Sequence, residues 1–255
     1  PLLEVRHLQT LAIRGLATLP GLPPAGKVAT TIRKVHSLER SEALSAALVR
    51  KDFADAILSE IEAGRLDTSE LSAFHIRQIR DLKDDVLLAK LRRLRPDSAT
   101  DPAAREAKRQ ELKSMLTPAF LAKADLEQGK LAFVAACGAC HQMFGQGGKL
   151  GPDLTGSDRR NLDYLLENIL NPSAAVSPEY QTAHVKMKDG RLLTGIIAGK
   201  DARKLRLNTI GGVQDIDAES VESVVTIKES LMPEGLISSL PKKLLRDLFG
   251  FLMQP

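Results

Sequence analysis

Only two cysteines occur in the 255 residues, three positions apart with a histidine directly behind the second: Cys137-Gly138-Ala139-Cys140-His141. A disulfide across so small a loop would remove little entropy from the unfolded chain. A structural zinc site normally takes four Cys or His ligands, and no second cysteine pair exists to supply them. A zinc ion held by Cys137, Cys140, His141 and a distant histidine such as His184 remains an alternative. A thioredoxin-like redox pair opens a helix after a strand. Here the pair closes a helical pattern running from Lys123, with Leu126, Leu131, Phe133 and Val134 as its apolar positions and no strand pattern before it.

Cys-x-x-Cys-His is also the attachment motif for a covalent c-type haem. Two thiols that add to the two vinyl groups on one porphyrin edge must project from about one helical turn. The adjacent imidazole can then reach under the ring and bind the iron. This reading makes Cys137, Cys140 and His141 the anchor of one haem c, with His141 an axial iron ligand.

The N-terminal half reads as helices in series. Leu44, Ala47 and Leu48 share one helical face; Phe53, Ile57, Ile61 and Leu66 mark a second segment with Asp52 as its expected N-cap. Asp67 and Glu70 have the spacing of a capping box. Val86, Leu87, Leu91 and Leu94 mark another helix, ended by Pro96, and Asp101 to Leu116 a long charged one. Residues 1–122 are thus expected to form a helical region, either a bundle or irregular repeats similar to HEAT or armadillo solenoids, although no clean period is present.

Beyond His141 come a glycine-rich loop (Phe144 to Gly148), the turn Gly151-Pro152-Asp153-Leu154-Thr155-Gly156, and a helix from Asn161 to Leu170 ended by Asn171-Pro172. The period then changes to alternation. Tyr180–Lys188 and Arg191–Ala198 flank Asp189-Gly190, and Lys204–Thr209, Val213–Ile216 and Val221–Ile227 follow, five strands expected to form a small SH3- or Sm-like barrel over residues 179–228. A loop, Ser230 to Gly235, precedes a last helix from Pro241 through Leu252.

The order helix, Cys-x-x-Cys-His, Gly-Pro-x-Leu-x-Gly, helix, Met, final helix resembles a class I cytochrome c. The resemblance implies that Pro152 offers its carbonyl to the proximal imidazole, that Leu154 lies against the porphyrin, and that Gly129 and Phe133 mark where the first helix crosses the last, near Leu248 or Phe249. It also places the second axial ligand on a loop before the last helix, where Met232 stands. Of the other methionines, Met143 is too close to His141 to reach the opposite face, Met115 precedes the domain, Met187 lies in an expected strand and Met253 on the terminal helix. About ninety residues separate His141 from Met232, far more than a minimal cytochrome c needs, and the excess is the strand segment. This arrangement resembles the haem-binding domain of Planctomycetes and Verrucomicrobia, on the motifs Cys137–His141, Gly151–Gly156, Asn171-Pro172-Ser173, Asp189-Gly190 and Ser230–Gly235. The resemblance covers about residues 125–255. The fold class it implies is mainly α: a HEAT-like helical region, then a class I cytochrome c fold over 123–255 interrupted by the small barrel.

For function, the resemblance implies an electron-transfer module with His/Met-ligated iron and no catalysis of its own, fused in the full-length protein to a dehydrogenase or serving a redox protein partner. A haem-based sensor with a displaceable distal ligand, or a helical interaction scaffold with a structural haem, stay open. No Ser-His-Asp set, phosphate loop or paired metal carboxylates stand out. His7, His36, His75 and His184 are isolated, while Tyr180, Arg159 and Arg160 are candidates to bind haem propionates. The net charge of +4 is spread without a dense basic run, which argues against nucleic acid. No stretch has the ~20 apolar residues of a membrane span. The chain opens with neither a signal peptide nor Met but with Pro1, as a piece of a longer protein would. Haem attachment implies maturation outside the cytoplasm, hence a periplasmic or otherwise extracytoplasmic setting.

Overall fold

The structure is a computed structural model that describes residues 2–19, 24–94, 102–238 and 240–255. The readings placed on Pro1, Pro96 and Asp101 lie outside the described residues. In chain order the helices before the Cys-x-x-Cys-His motif are α1 (Gln9–Thr18), α2 (Ala25–Ile32), α3 (Ser37–Ala47), α4 (Lys51–Glu62), α5 (Ala73–Asp81), α6 (Asp85–Leu94), α7 (Pro102–Met115), α8 (Pro118–Leu121) and α9 (Leu126–Ala136). After it come β1 (Gln142–Met143), β2 (Gln146–Gly147), α10 (Leu162–Leu170), β3 (Gln181–Met187), β4 (Leu192–Lys200), β5 (Lys204–Thr209), β6 (Gly212–Asp217), β7 (Val221–Ser230) and α11 (Lys242–Met253). The chain divides into two compact units: Pro1–Ser98 with Thr182–Ile227, and Ala99–Gln181 with Lys228–Pro255.

In the first unit α1 packs on α3, α2 on α4, α3 on α5 and α4 on α6, each helix against the one two places on. Ile13, Ile32, Leu44, Leu48, Phe53, Ile57, Leu58 and Ile79 are fully buried there. Two helix starts differ from expectation. The N-cap of α4 is Arg50, not Asp52; Asp52 instead accepts a 3.0 Å hydrogen bond from Arg50 Nε. Asp67 caps only a single 3-10 turn, because its carboxylate accepts from Ser69 N. The capping box belongs to α5, where Ser72 accepts from His75 N and His75 Nδ1 accepts from Ser72 N.

The five strands, apart from Gln181 of β3 and the last three residues of β7, belong to this same unit, in an antiparallel sheet of order β6-β5-β4-β3-β7. The Asp189-Gly190 turn joins β3 to β4, with Gly190 at φ +87°. The sheet is tied to the helices through Leu192, whose N–H donates to Val49 O at 2.9 Å, while Val49 packs against the sheet core of Ala183, Val185, Leu193, Leu205 and Leu207. The expected barrel does not close: among the described residues β6 and β7 are outer strands that do not pair. The reason is visible in their faces. No residue of β7 is fully buried, and β6 buries only Ile216, so neither has a second apolar edge to seal.

The second unit is helical around one core, to which Leu112, Leu116, Phe133, Met143, Leu166, Leu248, Phe249 and Leu252 contribute. Its centre is the crossing of α9 and α11. A Cβ on Gly129 would stand 2.1 Å from Asp247 O and 2.7 Å from Phe251 Cβ, so only glycine lets the two backbones approach this closely. The atoms nearest that glycine belong to Asp247 and Phe251, while Leu248 and Phe249 are fully buried in the same core as Phe133. Of the apolar positions read on α9, Phe133 is buried, but Leu131 (62% exposed) and Val134 (57%) face outward. Beside Phe133, α9 buries the small residues Gly129 and Ala132.

Candidate haem-attachment site

The site begins where α9 ends. Cys137 is the C-cap residue, and its carbonyl accepts from Cys140 N (3.1 Å) and His141 N (2.9 Å), so both cysteines and the histidine occupy one further turn. Gly138 permits that turn, since a Cβ there would meet Val134 Cα at 2.9 Å. The chain then doubles back in a minimal hairpin, β1 to β2, through Phe144 (φ +51°) and Gly145 (φ +74°). Two successive positive-φ residues are what a type I′ turn demands, so the glycine-rich stretch is a hairpin rather than an irregular loop. Backbone bonds tie it to the motif: Gly148 N donates to Gly138 O and Gly151 N to Cys140 O, both at 2.8 Å.

His141 Nδ1 lies 2.9 Å from Pro152 O. A carbonyl only accepts, so Nδ1 carries the proton and the Nε2 lone pair is left without a hydrogen-bond partner among the described residues. Burial lowers the imidazole pKa, against the raising influence of that hydrogen bond, and keeps the ring neutral. Gly151 makes room for it: a Cβ there would sit 2.6 Å from His141 Cε1. Both cysteines are free and partly buried. Burial, with the neighbouring Cys140 thiol adding to it, pushes Cys137 up to about 12, and burial raises Cys140 as well. Neither is a thiolate at neutral pH, which does not suit a thioredoxin-like nucleophile. Two neutral thiols one turn apart beside an imidazole with a free Nε2 are the donor set a covalent haem requires, and the residues fit that group.

Leu154 and Met232 are partly buried against the same core as Cys137. Leu154 N donates to Gln142 O at 2.8 Å, and Met232 N to Ser230 Oγ at 3.1 Å. Arg159 is not free for a propionate. It is buried, donates to the carbonyls of Leu252 and Gln254 at the end of α11 and to Thr155 O, and stacks on Phe144 with its guanidinium carbon 4.9 Å from the ring centroid. Arg160 is exposed and Tyr180 half-buried. His184 lies on β3 of the first unit with Nε2 3.4 Å from Asp81 Oδ2, and no group of three or more metal-ligating side chains is found among the described residues. A cavity of about 380 Å³ beside α9, lined by Phe133, Val134, Phe144 and Phe251 among others, contains none of Cys137, Cys140 and His141.

Sequence reasoning missed two supports of the site. Thr155 accepts from Phe144 N at 2.8 Å and donates to Asp153 Oδ1 at 2.6 Å, joining the hairpin turn to the Gly-Pro loop. Asp247, only 1% exposed, accepts from Asp125 N at 3.0 Å and from Arg246. The Asp-x-Thr spacing could have signalled the first as an Asx turn; nothing local signals the second.

Residues 126–194 match the family model for Cytochrome c. The matched stretch runs from α9 through the attachment motif and α10 into β4, and stops short of Met232 and α11. It supports a cytochrome c-like haem-binding domain in this chain, of a family whose members are generally electron carriers with covalent haem c and iron and are commonly extracytoplasmic. No curated protein matches the chain. Among the described residues no helix is long and apolar enough to cross a membrane.

Proposed function

We propose that this chain is an electron-transfer module carrying one haem c, bound through Cys137 and Cys140, with His141 and Met232 as the two axial ligands of its iron. The observation that carries the reading is the hydrogen bond from His141 Nδ1 to Pro152 O, which leaves Nε2 as the only imidazole lone pair, next to two unoxidised thiols. When bound, the haem supplies one-electron Fe(III)/Fe(II) chemistry. The residues do the rest: Pro152 orients His141 and raises its basicity, Leu154 and the core beside Cys137 exclude water, and a thioether at Met232 favours Fe(II) and raises the potential.

The wider setting is part of the same proposal. The helix stacking two places apart in the first unit supports a HEAT-like solenoid, and the motif order supports the Planctomycetes/Verrucomicrobia type of haem domain, exported and joined to a dehydrogenase-like partner. A pyridine haemochrome spectrum with an intact mass tests the core claim. A c-type spectrum and a mass raised by one haem are expected; a colourless protein with two titratable thiols would overturn it.

A further inference from the structure

Helix α7 lies outside the residues matched to the Cytochrome c model, yet it is built into the haem unit. Leu112 on its last turn and Leu116 just past it are fully buried in the core against which Cys137, Leu154 and Met232 pack. Arg105, Arg109 and Lys113 stand four residues apart on one face. Each meets an acid: Arg109 pairs with Glu167 of α10, Lys113 Nζ lies 2.7 Å from Asp163 of α10, and Arg105 reaches Glu234 at 3.1 Å. The first two pairs fasten α7 to its neighbouring helix. The third is different, because Glu234 belongs to the loop of Met232, two residues away.

That pair is also the most enclosed of the three, with 22% and 21% of the two side chains exposed. Arg105 Nε and Glu234 Oε2 are buried without a hydrogen-bond partner among the described residues, so each charge depends on the other. The other end of the loop is fixed as well, since Ser230 N donates to Ser173 Oγ at 3.1 Å. A loop held at both ends has little freedom to swing its central residue away.

We propose that Arg105 is a positioning residue for the distal side of the haem: by holding Glu234 it keeps Met232 seated and keeps small external ligands off the iron. The proposal rests on the reading of Met232 as the second axial ligand. The test uses ferric holoprotein, with two readouts: the weak far-red absorption band of methionine–Fe(III) ligation, and a titration with imidazole. Arg105→Gln is expected to weaken the band and to raise imidazole affinity about fivefold, the order of a partly enclosed ion pair. Glu234→Gln repeats the test from the loop side, and the exchange R105E/E234R is expected to restore both readouts. Arg109→Gln breaks a pair on the same helix and is expected to leave both unchanged. Should Arg105→Gln and Glu234→Gln behave like Arg109→Gln while Met232→Ala abolishes the band, the positioning role falls and the ligand assignment stands. Should the parent lack the band and Met232→Ala leave its spectrum unaltered, both fall.

Discussion

A half-buried and a buried histidine, His141 and His75, show how neighbours assign a role to one ring. In His141 the Nδ1 proton goes to Pro152 O and the Nε2 lone pair is left without a hydrogen-bond partner among the described residues. In His75 the bonding is reversed: Nδ1 accepts from Ser72 N, so Nε2 holds the proton and faces Ser41 O and Ser45 Oγ, each at 3.0 Å. No lone pair remains, and His75 is a structural residue. Burial lowers its pKa from 6.5, against weaker raising influences from Ser41 and Glu70. The unfolded chain therefore takes up the proton first as pH falls. The stability that neutral His75 contributes is fully present above 6.5 and is lost as pH drops through the lower folded value. The melting temperature of the first unit should decline on acidification from about pH 7 to pH 5, and His75→Gln should flatten that slope. At the candidate haem-attachment site, Gly151→Ala would put a Cβ 2.6 Å from the His141 ring. A loss of about 1–3 kcal/mol in denaturant unfolding, with a lower yield of covalent haem, is the expected result.

At the scale of elements, the second unit depends on how closely α9 and α11 cross. The crossing is locked at Gly129 and flanked by the Phe133–Phe251 ring pair, 5.7 Å between centroids. Gly129→Ala must push its methyl against backbone, which cannot swing aside as a long side chain can. It should cost about 1–3 kcal/mol by chemical denaturation, more than the same change at Gly15, where a Cβ meets nothing within 4 Å. The existence of these helices was legible from their apolar spacing, and so was the buried face of α11 with Leu248 and Leu252, but the face that α9 buries was only partly so. On α9 the apolar spacing took in the exposed Leu131 and Val134 together with the buried Phe133, and the buried Gly129 was marked only by the resemblance to class I cytochromes c. A close helix crossing rewards the absence of side chains, and hydrophobicity does not register an absence. Sequence likewise hid Arg159, two of whose carbonyl partners, Leu252 and Gln254, lie more than ninety residues along the chain.

For the molecule as a whole, two units with separate cores should unfold in separate steps. Calorimetry of the holoprotein is expected to show two transitions, and a variant with Cys137→Ser and Cys140→Ser, unable to hold haem covalently, should lower only the one belonging to the haem unit. A single transition, or an equal fall in both, would contradict this. The proposed attachment motif could be read from the sequence alone, because Cys137, Cys140 and His141 lie within one helical turn and need only local geometry. The strands and their turns could be read for the same reason. Tertiary structure alone decided that those strands form an open sheet against the helices rather than a closed barrel, since that depends on which distant face, Val49 or another strand, covers their apolar side. It also decided that Arg105 meets Glu234, 129 positions further along the chain. Covalent spacing can write a motif, but which charges and faces meet across the fold is settled only when the core closes around them.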